Sequence, residues 1–346
     1  MWFLLIKLMM CVCCKLTGAK MIHLRVCLLN FFCALPLLNP ADLIAAEFPV
    51  KPIRMVVGFP PSGISDNLAR VLAKAMGDEL GQSIYIDNRP GAGTTIAADN
   101  ISKSAPDGYS IFMQDLTSHA INASLYPKLP YDSVKSFTPI MMVASTPLVM
   151  VVPSSSSINN ISELVAEAKS NPGKLNYGSS GVGAILHLAG ELFLQKAGIT
   201  MTHIPYKGAT GAVNAMLGGE VTMSFATMPT AVPLVKAGRI TAVAVTSNKR
   251  VSSLPNIPTV EEGLGFREYD VVLYNGILGP PGMPKVIVDR LRVAISKALE
   301  TPEVKAFYVV MGADVMATTP DEFNTHLTKE IATYSKLVKQ LGVKAE

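Results

Sequence analysis

The sequence predicts an α/β fold built as two lobes around a cleft. The chain has 346 residues, more than one compact core usually holds. Hydrophobic residues make up 49% of it, which excludes a disordered chain. From Pro52 onward, short β-rich runs alternate with amphipathic helical patterns. That order implies a parallel sheet with helices on both faces.

The N-terminus stands apart from this pattern. Residues 21–46 have the layout of a secretory signal peptide. His23 and Arg25 precede an apolar run over 26–38, and the small residues Ala45 and Ala46 follow. Cleavage is expected after Ala46, with Met21 as the true start and residues 1–46 as the leader. Every cysteine (Cys11, Cys13, Cys14, Cys27 and Cys33) falls in that leader. The mature chain is thus expected to hold no disulfide, no thiolate nucleophile and no cysteine metal site. The net charge of +4 falls to +1 once the leader's four basic residues and one acid are removed. A near-neutral chain has no electrostatic footprint for nucleic acid. The apolar stretch over 140–152 is broken by Pro147 and is too short to cross a bilayer.

In order along the chain, 53–59 reads as a buried strand. Leu68, Val71, Leu72, Ala75 and Met76 then recur at helical spacing until Gly81. A strand over 83–88, a helix over 94–104 and a strand over 109–114 complete a βαβαβ unit. A second unit follows the serine run at 154–157. It comprises helix 161–170, strand 175–177, helix 185–197, strands 201–204 and 221–225, helix 230–237 and strand 240–245. Longer helices close the chain. Thr319, Pro320 and Glu322 form a capping box with proline at the first helical position, opening a helix to about Leu341. Residues 47–147 with 269–346 are expected to form lobe one, and 148–268 lobe two. Two crossings, near 145–152 and 271–279, make a hinge, and a hinge between lobes makes a closing cleft.

Two strand-to-helix turns are the candidate site. The first comprises Phe59, Pro60, Ser62, Gly63, Ile64, Ser65 and Asp66. The second comprises Ser179, Ser180, Gly181, Val182, Gly183 and Ala184. Unpaired N–H groups and a positive dipole end at each helix start suit one carboxylate, and serines add hydroxyl donors. The same short strings also fit ordinary turns capped by Ser or Asp. Neither turn has the phosphate-loop pattern or the third glycine of a dinucleotide fingerprint. No nucleophile elbow frames Ser179 or Ser180. His187 and Glu191 share a helical face, but two ligands are too few for a metal. His187 is expected to cap or to point at the second turn. Thr117, Ser118 and His119 follow a strand end, which puts them at the cleft or on a surface loop. His203 reads as structural and His326 as solvent-facing.

Longer strings carry a resemblance. They include Phe48-Pro49, Lys51-Pro52-Ile53-Arg54, the run 56–61 with Asp66, and Asn-Arg-Pro-Gly-Ala-Gly at 88–93. Others are Ala-Pro-Asp-Gly-Tyr at 105–109, Leu-Tyr-Pro-Lys-Leu-Pro-Tyr-Asp at 125–132 and Pro-Gly-Lys-Leu at 172–175. His-Leu-Ala-Gly-Glu at 187–191, Pro-Tyr-Lys-Gly at 205–208, Ala237-Gly238-Arg239, and Leu254-Pro255 with Pro258-Thr259-Val260 complete the set. Over 48–346 the chain resembles the receptors of the tripartite tricarboxylate transporter system, the Bug family. The resemblance implies a type II periplasmic-binding-protein fold with a hinge and central ligand cleft, no enzymatic activity and no cofactor or metal. It implies a monomeric periplasmic receptor that takes a small carboxylate through the two turns and hands it to a two-part integral membrane permease. A signalling receptor of the same fold, or a secreted hydrolase, are the alternatives. Two departures stand out. Ser62 sits where the family usually has glycine, and Ala226 and Thr227 sit where it often has Asp-Asn; the latter argues against an ammonium on the ligand. Thr227 joins the candidate ligand residues at that position.

Overall fold

The computed structural model describes residues 48–267 and 269–343. The leader, the Met21 start, the cleavage after Ala46 and the cysteines lie outside them. In chain order the first elements are β1 (Ile53–Val57), α1 (Ile64–Leu80), β2 (Ile84–Asn88), α2 (Thr95–Ser102), β3 (Ser110–Asp115), α3 (Leu116–Leu125) and β4 (Thr138–Pro153). Then follow α4 (Ile161–Ser170), β5 (Asn176–Ser179), α5 (Ile185–Ala197), β6 (Thr202–Pro205), α6 (Ala209–Leu217), β7 (Met223–Thr227), α7 (Met228–Lys236) and β8 (Ile240–Val245). The chain closes with α8 (Val260–Leu264), β9 (Val272–Gly279), α9 (Lys285–Glu300), α10 (Pro302–Met311), β10 (Asp314–Val315) and α11 (Pro320–Leu341).

One curled sheet has two wings. In the first, β1 is flanked in parallel by β2 and β3, and β9 lies between β3 and β4. In the second, β5 is flanked in parallel by β6 and β7, and β4 pairs with β7 and β8. The βαβαβ order implied a parallel sheet; β1 to β3 and β5 to β7 pair in parallel, and β4, β8 and β9 make the whole sheet mixed. β4 carries the chain out of the first wing and β9 brings it back beside β4, so β9 runs antiparallel to both β3 and β4.

Burial explains which elements the sequence revealed. In α1, Leu68, Leu72 and Met76 fall one turn apart and are fully buried, and Gly81 ends the helix at φ 68. At that sign of φ glycine has no Cβ to clash. The expected capping box at Thr319 and Glu322 opens α11. The apolar stretch over 140–152 is part of the long strand β4. Leu148, Met150 and Val152 enter one core, and Val149 and Val151 enter the other. A strand covered on both faces has no reason to alternate, so its period is invisible. The short helix α8 was not foreseen, nor were α3 and α6. Along α3, Thr117, His119 and Asn122 are buried polar residues that blur the amphipathic contrast. α6 follows Gly208 and contains Gly211, both poor helix signals.

Where the wings meet, Thr246 fastens the outgoing and returning strands. Its hydroxyl accepts the Leu148 N–H (2.8 Å) and donates to the Val271 carbonyl (2.6 Å). Its own N–H reaches the Leu148 carbonyl (3.0 Å), and its carbonyl accepts the Val271 N–H (3.0 Å). No helix among the described residues is long and apolar enough to cross a membrane.

Candidate functional site

A cavity of about 480 Å³ opens between the wings. Phe59, Pro60, Ser62, Gly63, Ile64 and Ser65 line it from the turn between β1 and α1. Asp66 does not; it lies beneath the turn and holds it. Its Oδ2 accepts the Ser62 N–H (2.8 Å) and Arg70 Nε (2.9 Å). Its Oδ1 accepts Arg70 Nη2 (2.9 Å) and Asn88 Nδ2 (2.8 Å). Burial pushes the Asp66 carboxyl up, but the hydrogen bonds from Arg70, Asn88 and the Ser62 amide outweigh it and hold it below the ordinary carboxylate range. Ser62 itself sits at φ 70, a left-handed conformation that strains any residue with a Cβ.

The second turn, between β5 and α5, lines the cavity through Ser180 and Ala184. Gly181, Val182 and Gly183 stand outside the lining. Val182 is exposed, and Gly183, at φ 73, packs against Leu125 of α3 in the first wing. A Cβ on Gly183 would lie 2.7 Å from Leu125 Cδ2. Ser179 and His187 brace the turn from below rather than facing the cavity. Ser179 Oγ is 2.6 Å from His203 Nε2 and accepts the Gly181 N–H (3.2 Å). His187 Nδ1 accepts the Gly183 N–H (3.0 Å), so that nitrogen carries no proton. The His187 and His203 rings stack at 3.9 Å, and Tyr177 donates to Glu191 (2.7 Å) beside them. Burial lowers both histidines to about 4, and for His203 the neighbouring His187 adds to the effect.

Of the group at the start of α3, Ser118 lines the cavity, while Thr117 and His119 are fully buried. Thr117 Oγ1 donates to the Val272 carbonyl (3.2 Å) and ties α3 to β9. His119 packs between Tyr131 and Phe137, its Nε2 2.8 Å from the Ser133 carbonyl. It points into the core because α3 is a helix, not a loop, and position 119 faces away from the cavity. His326, expected in solvent, is half-buried edge-on against Tyr274 (4.2 Å).

Thr227 lines the cavity where β7 gives way to α7. Further lining residues, Leu273 of β9 and Ile185 and Leu186 of α5 among them, have no counterpart among the residues expected from the sequence. Pro229 and Thr230 join Thr227 from the first turn of α7. Gly208, Ala209 and Thr210 line the wall at the start of α6. Asp115, the N-cap of α3, also reaches it. A turn signal existed in the strings Lys207-Gly208 and Met228-Pro229, but nothing local distinguished these from other turns.

Capping at the cavity is uneven: α3 opens there capped by Asp115, four other helices open there uncapped, and α2 and α9 are uncapped away from it. α1, α5, α6 and α7 begin with no side chain capping their N-termini. α4, α8, α10 and α11 are capped by Asn160, Thr259, Thr301 and Thr319. The four uncapped starts, two wings between them, aim orphan N–H groups and positive dipole ends at one space. Among the described residues no Lys, Arg or His lines it. No group of His, Cys, Asp and Glu among them is suited to a metal. The arrangement suits an anion held by backbone and hydroxyl donors.

A family model, the tripartite tricarboxylate transporter family receptor, matches residues 68–343. The chain belongs to that family. The receptor is 33% identical to the protein BugT of Bordetella pertussis over 305 residues, 88% of this chain and 93% of BugT. A Rhodopseudomonas palustris protein solved with adipate superposes with a TM-score of 0.78 at 31% identity, covering 86% of this chain and 99% of that one. MatC from Rhodopseudomonas palustris, with bound malate, gives 0.74 at 29% identity, covering 84% and 100%. The fold is thus the two-lobed binding-protein fold, and the family and its structural neighbours are solute-binding proteins rather than enzymes.

Proposed function

We propose that the receptor, exported to the periplasm, captures a small carboxylate between two lobes and delivers it to a two-part integral membrane permease. The convergence of four uncapped helix starts on a cavity without a cationic side chain carries this reading. The neighbours solved with adipate and malate support it. Lobe one comprises 47–147 and 269–346, lobe two 148–268, and the receptor acts as a monomer. The crossings at Pro147–Leu148 and Val271–Val272, fastened by Thr246, act as the hinge. Ligand bound to one turn gains the second turn's donors only when the lobes close, so binding shifts the population toward closure.

Calorimetry against a panel of acids and their neutral esters tests the site. The acid binds and its ester binds at least about tenfold worse, because each charge-assisted hydrogen bond is worth roughly 1.5–3 kcal/mol. Equal affinity for acid and ester is decisive against an anion site. Small-angle scattering tests closure: the radius of gyration shrinks at saturation, and an unchanged radius removes the hinge from the mechanism.

A further inference from the structure

The cavity wall holds one ionisable side chain among the described residues, and it has the wrong sign for an anion site. Asp115 ends β3 and caps α3. Its Oδ1 accepts the Thr117 and Ser118 N–H groups (2.9 and 3.1 Å), and its Oδ2 accepts Ser118 Oγ (2.9 Å). An ionised carboxylate has about four acceptor positions, so one on Oδ2 stays open. Asp115 lies opposite Asn275 in the sheet, and Asn275 Nδ2 donates to Ser65 Oγ (2.8 Å) at the start of α1. The acid is therefore one strand from the first anion turn, and 5% of its surface remains exposed.

A ligand carboxylate held by the helix starts brings its skeleton against this acid and displaces the water that solvates it. Three hydrogen bonds leave this carboxylate one open acceptor position and no cation, so a donor on the ligand is favoured there. We propose that Asp115 is a specificity-determining residue. It accepts a hydrogen bond from the ligand, and it selects carboxylates that bear a hydroxyl or ammonium over plain acids of the same skeleton. This rests on the carboxylate reading of the site and refines it. Asp115 also supplies a carboxylate that the sequence, with Ala226 and Thr227 in the expected acidic position, had counted as lost.

Burial raises the Asp115 carboxyl to about 6, against the hydrogen bonds of Ser118 and Thr117. The titratable groups facing it are on α11. Burial and then Asp270 push Glu330 up to about 7, and Tyr334 is raised well above its ordinary value by burial and then Glu330. Lys329 opposes the rise of Glu330. At pH 7.5, above that value, Asp115 of the empty site is largely ionised and acts as an acceptor.

The test uses the full mature chain and two skeletons: succinate, malate and aspartate, then glutarate, 2-hydroxyglutarate and glutamate. Calorimetry at pH 7.5 should favour the hydroxy or the amino acid over its plain parent by about tenfold or more, the value of one charge-assisted bond. The hydroxy and amino arms tell which donor is read. Asp115→Asn and Asp115→Ser both retain a helix cap, and melting curves without ligand confirm that each is folded. In both, the preference should fall to within about threefold, as affinity for the plain parent rises. Equal affinity within each wild-type series, or an unchanged preference in both variants, overturns the assignment alone. A wild type that binds no carboxylate at all overturns the proposed function with it.

Discussion

Beneath the first turn lies a charged brace, Asp66 between Arg70 and Asn88; beneath the second lies a neutral one, His187 stacked on His203. Each fixes its loop by accepting one of the loop's own N–H groups, Ser62 or Gly183, and neither side chain enters the cavity. The difference is in what each brace withstands. The first keeps its charge because donors hold Asp66 below the ordinary carboxylate range. The second works only while His187 Nδ1 is unprotonated. One function, presenting backbone donors, is thus built on two chemistries that acid undoes at different points, the histidine brace toward pH 4 and the carboxylate brace only below its lowered titration range.

The largest expected effect comes from removing the charged brace. Asp66→Ala strands Arg70 and Asn88 and frees the Ser62 amide. We expect a loss of roughly 3 kcal/mol in denaturant unfolding, from the Ser62 amide and the Asn88 side chain left without their acceptor rather than from the half-exposed Arg70, and a matching loss of carboxylate affinity. A variant within about 0.5 kcal/mol of wild type would show that the brace is idle.

Gly183→Val attacks the second turn where it meets the first wing. The valine Cβ is forced into a left-handed conformation and against Leu125. The cost is about 2 kcal/mol of stability, and the cleft is propped open there. Scattering should show no ligand-induced shrinkage. A variant that closes as wild type does rules out the Leu125 contact as part of closure.

Acid should separate the turns directly. His187 and His203 titrate near 4 when folded, below the ordinary 6.5. Between those values the unfolded chain binds more protons, so their contribution is present above about 6.5 and is lost as pH falls toward 4. Asp115 and Glu330, both raised, act in the opposite sense and gain from acidification. A local readout avoids that cancellation. Amide exchange at Gly183 should lose about fivefold in protection at pH 4, the worth of one hydrogen bond, while Ser62 keeps its own. Parallel loss at both amides would erase the distinction between the braces.

The smallest effect is a gain. Ser62→Gly removes a Cβ from φ 70 and should stabilise the receptor by about 1 kcal/mol in thermal or denaturant unfolding. A loss of stability instead would mean that the hydroxyl matters more than the strain.

Local chemistry makes much of this legible in the order of residues alone. Helix α5 over 185–197, α4 over 161–170 and β8 over 240–245 have the predicted bounds, because one apolar face or one β-branched run defines each. Both turns are marked by glycine and serine between a strand and a helix. The roles within them are less visible. Asp66, Ser179, His187 and His119 carry the residue types of a binding site, yet they brace or fill, since type says nothing about direction.

The sequence by itself determined the alternation of strands and helices, the two turns and, through its longer strings, the family. Those depend on period, cap residues and local conformation, which neighbours in the chain control. Tertiary structure alone decided three things. β9 returns antiparallel between β3 and β4 because chain direction after a crossing is a property of the whole path. α6 and α7 reach the cavity because the second wing curls toward the first. Asp115 faces the cavity from the end of β3 beside Asn275, a partner 160 residues away in sequence. Contacts so distant in the chain leave no local pattern, because only packing brings their side chains together.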